Sequence, residues 1–134
     1  MGLDLDIPNE ALPRVRIGDF GVIAARFHAG DAQLFPGISL HLIGGHTMGL
    51  QVVRVATRRG WLVIASDASH FYANMEEVRP FPIVYSVADM VQGYDRLRAL
   101  ADSRAHIIPG HDPLVLERYP APSAALQRIV ARLD

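Results

Sequence analysis

The chain has 134 residues, half of them apolar and a fifth charged, with a formal net charge of −1. That suffices for one domain with its own core and excludes a disordered segment. Dispersed basic residues leave no footprint for nucleic acid or an anionic membrane, and the lack of cysteine excludes disulfides, thiolate metal sites and a cysteine nucleophile.

Met1 to Arg14 is weakly patterned, with Pro8 and Pro13, and reads as part of an atypical arm over residues 1–26. It lacks the basic-then-apolar plan of a signal peptide, and no apolar run approaches the ~20 residues of a membrane span. A cytoplasmic location fits the absence of cysteine. Val22 to Phe27 predicts a strand, with a short helix as the alternative. Ala29-Gly30-Asp31 offers turn chemistry, Ala32 to Phe35 predicts a returning strand, and Pro36-Gly37 predicts a second turn.

Ile38, Leu40 and Leu42 alternate with Ser39, His41 and Ile43, a two-residue period that predicts a strand. His41 sits inside that strand and reads as structural. Leu50 to Ala56 and Trp61 to Ala65 predict a β-hairpin turning at Thr57-Arg58-Arg59-Gly60. The second arm, apolar throughout, predicts burial on both faces. Ala68 to Asn74 reads as a loop or short helix. Arg79-Pro80-Phe81-Pro82 excludes regular helix and reads equally as a pocket wall or a packed connection.

Ser86-Val87-Ala88-Asp89 resembles a capping box, and Met90, Val91, Tyr94, Leu97 and Leu100 follow at helical spacing, predicting a helix from Val87 to about Asp102. Ala105 to Ile108 predicts a short strand, and Leu114 to Leu116 a further strand or turn. A last helix is expected from Pro122 or Ser123 to Leu133, within residues 121–134, with Leu126, Ile129, Val130 and Leu133 on one face. No internal repeat or second domain is evident, so 1–134 reads as one domain of α/β (α+β) class with a mostly antiparallel or mixed sheet and two main helices.

Three potential metal ligands each follow an apolar strand-like run: His46 after Gly44-Gly45, Asp67 after Ser66, and His111 after Gly110. Strand ends in one sheet converge on a crevice. Imidazole and carboxylate suit zinc and similar divalent metals, and a strand-end Asp can bridge two of them. Such metals acidify water and polarise a carbonyl without a Ser or Cys nucleophile. The frame Gly-x-Ser-x-Gly of a serine hydrolase is absent, as is the Walker Lys-Ser/Thr ending of a phosphate loop.

The segments Gly44-Gly45-His46-Thr47-Met48-Gly49-Leu50-Gln51, Ala65-Ser66-Asp67-Ala68-Ser69 and Pro109-Gly110-His111-Asp112 resemble the later metal motifs of the metallo-β-lactamase superfamily. Their order most resembles its N-acyl-homoserine lactonase family, over roughly Phe27 to Tyr119 (residues 27–119 as the metallo-hydrolase-like region). The resemblance implies the C-terminal half of an αββα sandwich. It implies two zinc ions, with His46 on the first, Asp67 bridging and His111 on the second. It implies hydrolysis of a lactone ring, hence quorum quenching, with a small lactone or ester as substrate and neither nucleic acid nor membrane as partner.

The sequence departs from that family twice. The first metal motif, His-x-His-x-Asp-His, is absent, so the expectation is a truncated portion whose metal shell is incomplete in this chain. Lactonases often carry a Tyr three residues after the bridging Asp to polarise the substrate carbonyl; here that position is His70, with Tyr72 two further on. Asp67, His70 and Tyr72 are therefore the candidate catalytic residues. Half a sandwich would leave an apolar sheet face open, predicting a homo-oligomer or a need for a missing N-terminal half. The alternatives are a thioester hydrolase of the glyoxalase II kind, with similar motifs, and a non-catalytic fragment or interaction module whose ligands are relics.

Overall fold

The computed structural model describes residues 15–16, 22–23 and 28–134. The proposed irregular arm over Met1 to Arg14 lies outside the described residues, as does the 24–27 part of the first predicted strand. Two short strands, β1 (Val15–Arg16) and β2 (Val22–Ile23), pair antiparallel with each other.

Four strands form an antiparallel meander: β3 (Ala32–Phe35), β4 (Ile38–Leu42), β5 (Gln51–Thr57) and β6 (Gly60–Ser66). The period-two run at Ile38 and the paired runs around Thr57 to Gly60 thus form the predicted strands. A fifth strand, β7 (Ile107–Pro109), completes a mixed sheet by lying parallel to β6. A parallel neighbour cannot be reached by a tight turn. The connection runs through α1 (Tyr72–Glu76) and α2 (Val87–Leu100).

Strand direction decides where the site lies. β4 and β6 are both antiparallel to β5, so they point the same way, and β7 points with β6. The segments leaving β4, β6 and β7 therefore emerge at one edge of the sheet. His46 lies on the first, Asp67 on the second and His111 on the third.

Helix α2 starts where Ser86 Oγ accepts a hydrogen bond from Asp89 N–H at 3.2 Å, which satisfies one free donor of the first turn. Met90, Tyr94 and Leu97 are at most 1% exposed and pack on Val52, Val63, Ala65 and Ile107 of the sheet. Each such side chain stabilises the fold by about 1.5–3 kcal/mol through burial. The helix ends at Leu100 rather than Asp102, because Asp102 leaves it to bond Trp61: the Asp102 N–H donates to the Trp61 carbonyl, and Trp61 N–H donates to Asp102 Oδ2.

The opposite sheet face corrects one expectation. Leu62 is buried there with Ile108 under Tyr119, Ala131 and Leu133, but Ile64 on the same strand is 41% exposed. Val63 and Ala65 of β6 are therefore buried on the α2 side, while the other face is covered only in part.

The expected second main helix does not form. Within residues 121–134 the structure has a 3-10 turn at Ala124–Leu126, Arg128 at φ 63°, and an irregular end. A helix of that length needs an apolar face to bury, and here Ile129 is 68% exposed. The chain instead doubles back, with Arg132 N–H donating to the Pro120 carbonyl at 2.8 Å, so that Ala131 and Leu133 reach Leu62. Of the strand or turn expected at Leu114 to Leu116, the strand does not form: Leu114 lies in a turn and Val115 and Leu116 open α3 (Val115–Arg118). Ala105 lies in a 3-10 turn, Arg104–His106, so the last strand starts at Ile107.

Candidate metal centre

Three loops build the site. After β4, Gly44 and Gly45 take φ of 75° and 85°, conformations that favour glycine, and bring His46 round to the start of α2. There the Tyr85 and Ser86 N–H groups donate to the His46 and Gly45 carbonyls at 3.0 and 2.9 Å. After β6, Ser66 adopts φ 46° beside an irregularity in the β6–β7 register, so backbone strain of roughly 1–3 kcal/mol sits directly before Asp67. After β7, the Gly110 and His111 N–H groups donate to the Ser69 and His70 carbonyls at 3.0 and 2.9 Å, fastening the two loops together.

Asp67 is the centre of the resulting cluster. Its Oδ1 lies 2.7 Å from His111 Nε2 and 3.4 Å from His70 Nε2. Its Oδ2 lies 3.8 Å from His46 Nε2. Different oxygens of one carboxylate thus face His46 on one side and the His70–His111 pair on the other. His46 Nδ1 is 2.9 Å from the Ile83 carbonyl, which only accepts, so Nδ1 carries a proton and Nε2 is the ring nitrogen turned to Asp67.

His70 is held from the side. Its ring stacks on Phe81 with centroids 3.6 Å apart, and its edge meets His111 at 4.6 Å and His46 at 5.8 Å. Burial pushes the His70 imidazole pKa down; the Asp67 charge opposes this, while His111 and His46 reinforce it. The shift favours the neutral ring, the form that offers a lone pair. Asp112 Oδ2 accepts from Tyr72 N–H at 2.8 Å and Oδ1 from Leu114 N–H at 2.9 Å, which pins the His111 loop to α1.

The structure brings His46, Asp67, His70 and His111 together. Tyr72 is not among them: it is 2% exposed, packed in the main core with the Arg118 guanidinium 3.6 Å above its ring. Its hydroxyl is buried with no hydrogen-bond partner among the described residues, and burial pushes its pKa far above the usual phenol value. It does not present that hydroxyl to the cluster. His41 is structural, linking Ser39 and Asp31 within the sheet. Sequence reasoning missed the contact between Phe81 and His70. The aromatic, proline-stiffened loop was its visible signal, and that loop is at once packed on the core and the wall of the site.

One ligand atom each from Asp67, His70 and His111 lies within 4.8 Å of the others, a donor set that could hold a divalent metal ion. Among solved structures, an N-acyl homoserine lactone hydrolase with the product N-hexanoyl-L-homoserine bound at its catalytic metal centre superposes with a TM-score of 0.56 and 28% identity, over 62% of this chain and 34% of that one. This chain resembles the N-acyl homoserine lactonases. A quorum-quenching N-acyl homoserine lactone hydrolase matches with the same score, identity and coverage of this chain, over 35% of its own length. A variant of the B. thuringiensis AiiA protein with N-decanoyl-L-homoserine at its active site matches equally, over 34% of its length. The mixed sheet with few helices is thus the fold of these lactonases, within the metallo-β-lactamase superfamily. The chain spans about a third of their length. No family model matches it, and neither does any curated protein. No helix among the described residues is long and apolar enough to cross a membrane.

Proposed function

We propose that this chain contributes the Asp67-centred part of a metal-dependent hydrolase site that opens the ring of a lactone, an N-acyl homoserine lactone in particular. The observation that carries the reading is the disposition of the Asp67 carboxylate, with His46 facing Oδ2 and His111 facing Oδ1. It is found in a fold shared with lactonases at 28% identity.

In this reading His46, Asp67 and His111 hold zinc. When bound, zinc supplies Lewis acidity and lowers the pKa of water. The chain's own residues do the rest. The Ile83 carbonyl fixes the His46 tautomer, so a lone pair faces the site without further reorganisation. Asp67 would supply negative charge and the two oxygens that hold the metal between His46 and His111. Phe81 gives the crevice an apolar wall suited to the non-reacting part of a small ester or lactone. Residues 1–134 act as one domain in the cytoplasm, and the partly open β6 face, with Ile64 exposed, packs against further protein, either a second copy or a preceding half-sandwich.

The test is hydrolysis of N-hexanoyl-L-homoserine lactone by the zinc-loaded chain, followed as appearance of N-hexanoyl-L-homoserine. Ring opening above the buffer rate that disappears in Asp67→Asn supports the reading. Zinc-loaded chain with no opening beyond buffer overturns the catalytic role and leaves the ligands as relics.

A further inference from the structure

We infer that Asp67, His70 and His111 form a self-sufficient site for one divalent transition metal, with His70 as a ligand in its own right; this rests on the metal-dependent reading of the same cluster. Zinc ligands at about 2.0–2.2 Å in a tetrahedral shell lie roughly 3.3–3.5 Å from one another. His70 Nε2 is 3.4 Å from Asp67 Oδ1, already at that spacing. His111 Nε2 is closer, at 2.7 Å, in a hydrogen bond to Asp67 Oδ1 that a shared metal ion would replace. His46 lies on the other carboxylate oxygen at 3.8 Å, outside this set.

His70 is also oriented as a ligand must be. Phe81 stacks on one face of its ring, and the His70 carbonyl accepts from His111 N–H, which ties the two imidazoles to one backbone unit. The lactonase resemblance places a carbonyl-polarising group three residues after the bridging Asp. An imidazole with its Nε2 facing the Asp67 carboxylate is instead placed to share a cation with it. Two imidazoles and one carboxylate, with a further position open, is the donor set of catalytic zinc sites and of non-haem iron sites. The site therefore takes a first-row divalent metal, and it needs no His-x-His-x-Asp-His motif.

The experiment is cobalt(II) titration of the full chain, followed by visible absorption, with nitrogen NMR of the histidine rings on adding zinc. One cobalt per chain is expected. His70→Gln weakens that affinity at least roughly tenfold, and the His70 Nε2 resonance of the unaltered chain moves when zinc is added. His70→Gln that keeps full affinity, or a His70 Nε2 that stays in place, overturns the inference. If His46→Ala and His111→Ala abolish binding while His70→Gln does not, the hydrolase reading stands and this assignment falls. A folded chain that takes up no cobalt overturns both. The NMR arm reads the unaltered chain, so a folding defect in a variant cannot mask the answer.

Discussion

Phe81 lies face to face with His70, ring centroids 3.6 Å apart and planes 9° from parallel. It is one of the contacts through which the proline-stiffened loop reaches the cluster, beside the Ile83 carbonyl on His46, and Phe81 also touches the main core. Replacing Phe81 by Leu keeps apolar volume but removes the flat face. Zinc affinity should fall roughly tenfold, as when other groups that orient a ligand are lost, and stability by about 1 kcal/mol. A competition titration against a chelator reads the first effect and urea unfolding the second. Unchanged zinc affinity would show that Phe81 only fills space.

Gly45 holds the His46 loop against α2. A Cβ there would stand 2.7 Å from Met90 Cα and 2.8 Å from Met90 N, and φ is 85°. Both the clash with helix backbone and the left-handed conformation oppose a side chain. Gly45→Ala should cost about 3 kcal/mol. Gly49, four residues on, has open space around its Cβ position, so Gly49→Ala should stay within about 0.5 kcal/mol. Urea midpoints of the two variants give the comparison.

Asp31 ties the start of the sheet to α2. Its carboxylate accepts from Leu42 N–H at 2.9 Å and from Arg96 at 2.6 and 2.7 Å, and lies 3.0 Å from His41 Nδ1. Burial alone would raise its pKa, but the Leu42 hydrogen bond, His41 and Arg96 together outweigh it and hold the carboxyl below 3.8. A carboxyl depressed on folding stabilises the fold above its unfolded pKa and loses that contribution as pH falls through its folded value. With the side chain 45% exposed, water screens the ion pairs. Asp31→Asn should therefore lower stability by only about 1 kcal/mol at neutral pH. The gap to the unaltered chain should close as pH drops below 3.8. A gap that persists undiminished in acid would show that the charge contributes nothing.

The sheet was legible because its strands advertise themselves locally: Ile38, Leu40 and Leu42 in two-residue alternation, and Trp61 to Ala65 as an apolar run after Gly60. The helix start was legible because Ser86 supplies the N-cap acceptor, although the other half of the capping box does not form, since Ser86 N–H donates to the Gly45 carbonyl. His46, Asp67 and His111 could be named one by one, since each follows an apolar run. Their convergence needed the parallel placement of β7 beside β6, which no local pattern encodes. The same crossover sets Phe81 against His70 across eleven residues, and so escaped a reading by spacing. The stripe Leu126, Ile129, Val130 and Leu133 misled because periodicity records what a helix would bury, not whether a surface exists to receive it. Tyr72 misled for a related reason: α1 turns its ring into the core while its backbone stays near the site.

The most direct measurement is zinc per chain in folded protein, purified without chelator and dialysed against buffer containing zinc. At least one zinc per chain is expected, lost in Asp67→Ala while that variant keeps its fold by circular dichroism. A folded chain that retains no zinc, or an Asp67→Ala variant that retains as much as the unaltered chain, would contradict a metal centre built on Asp67.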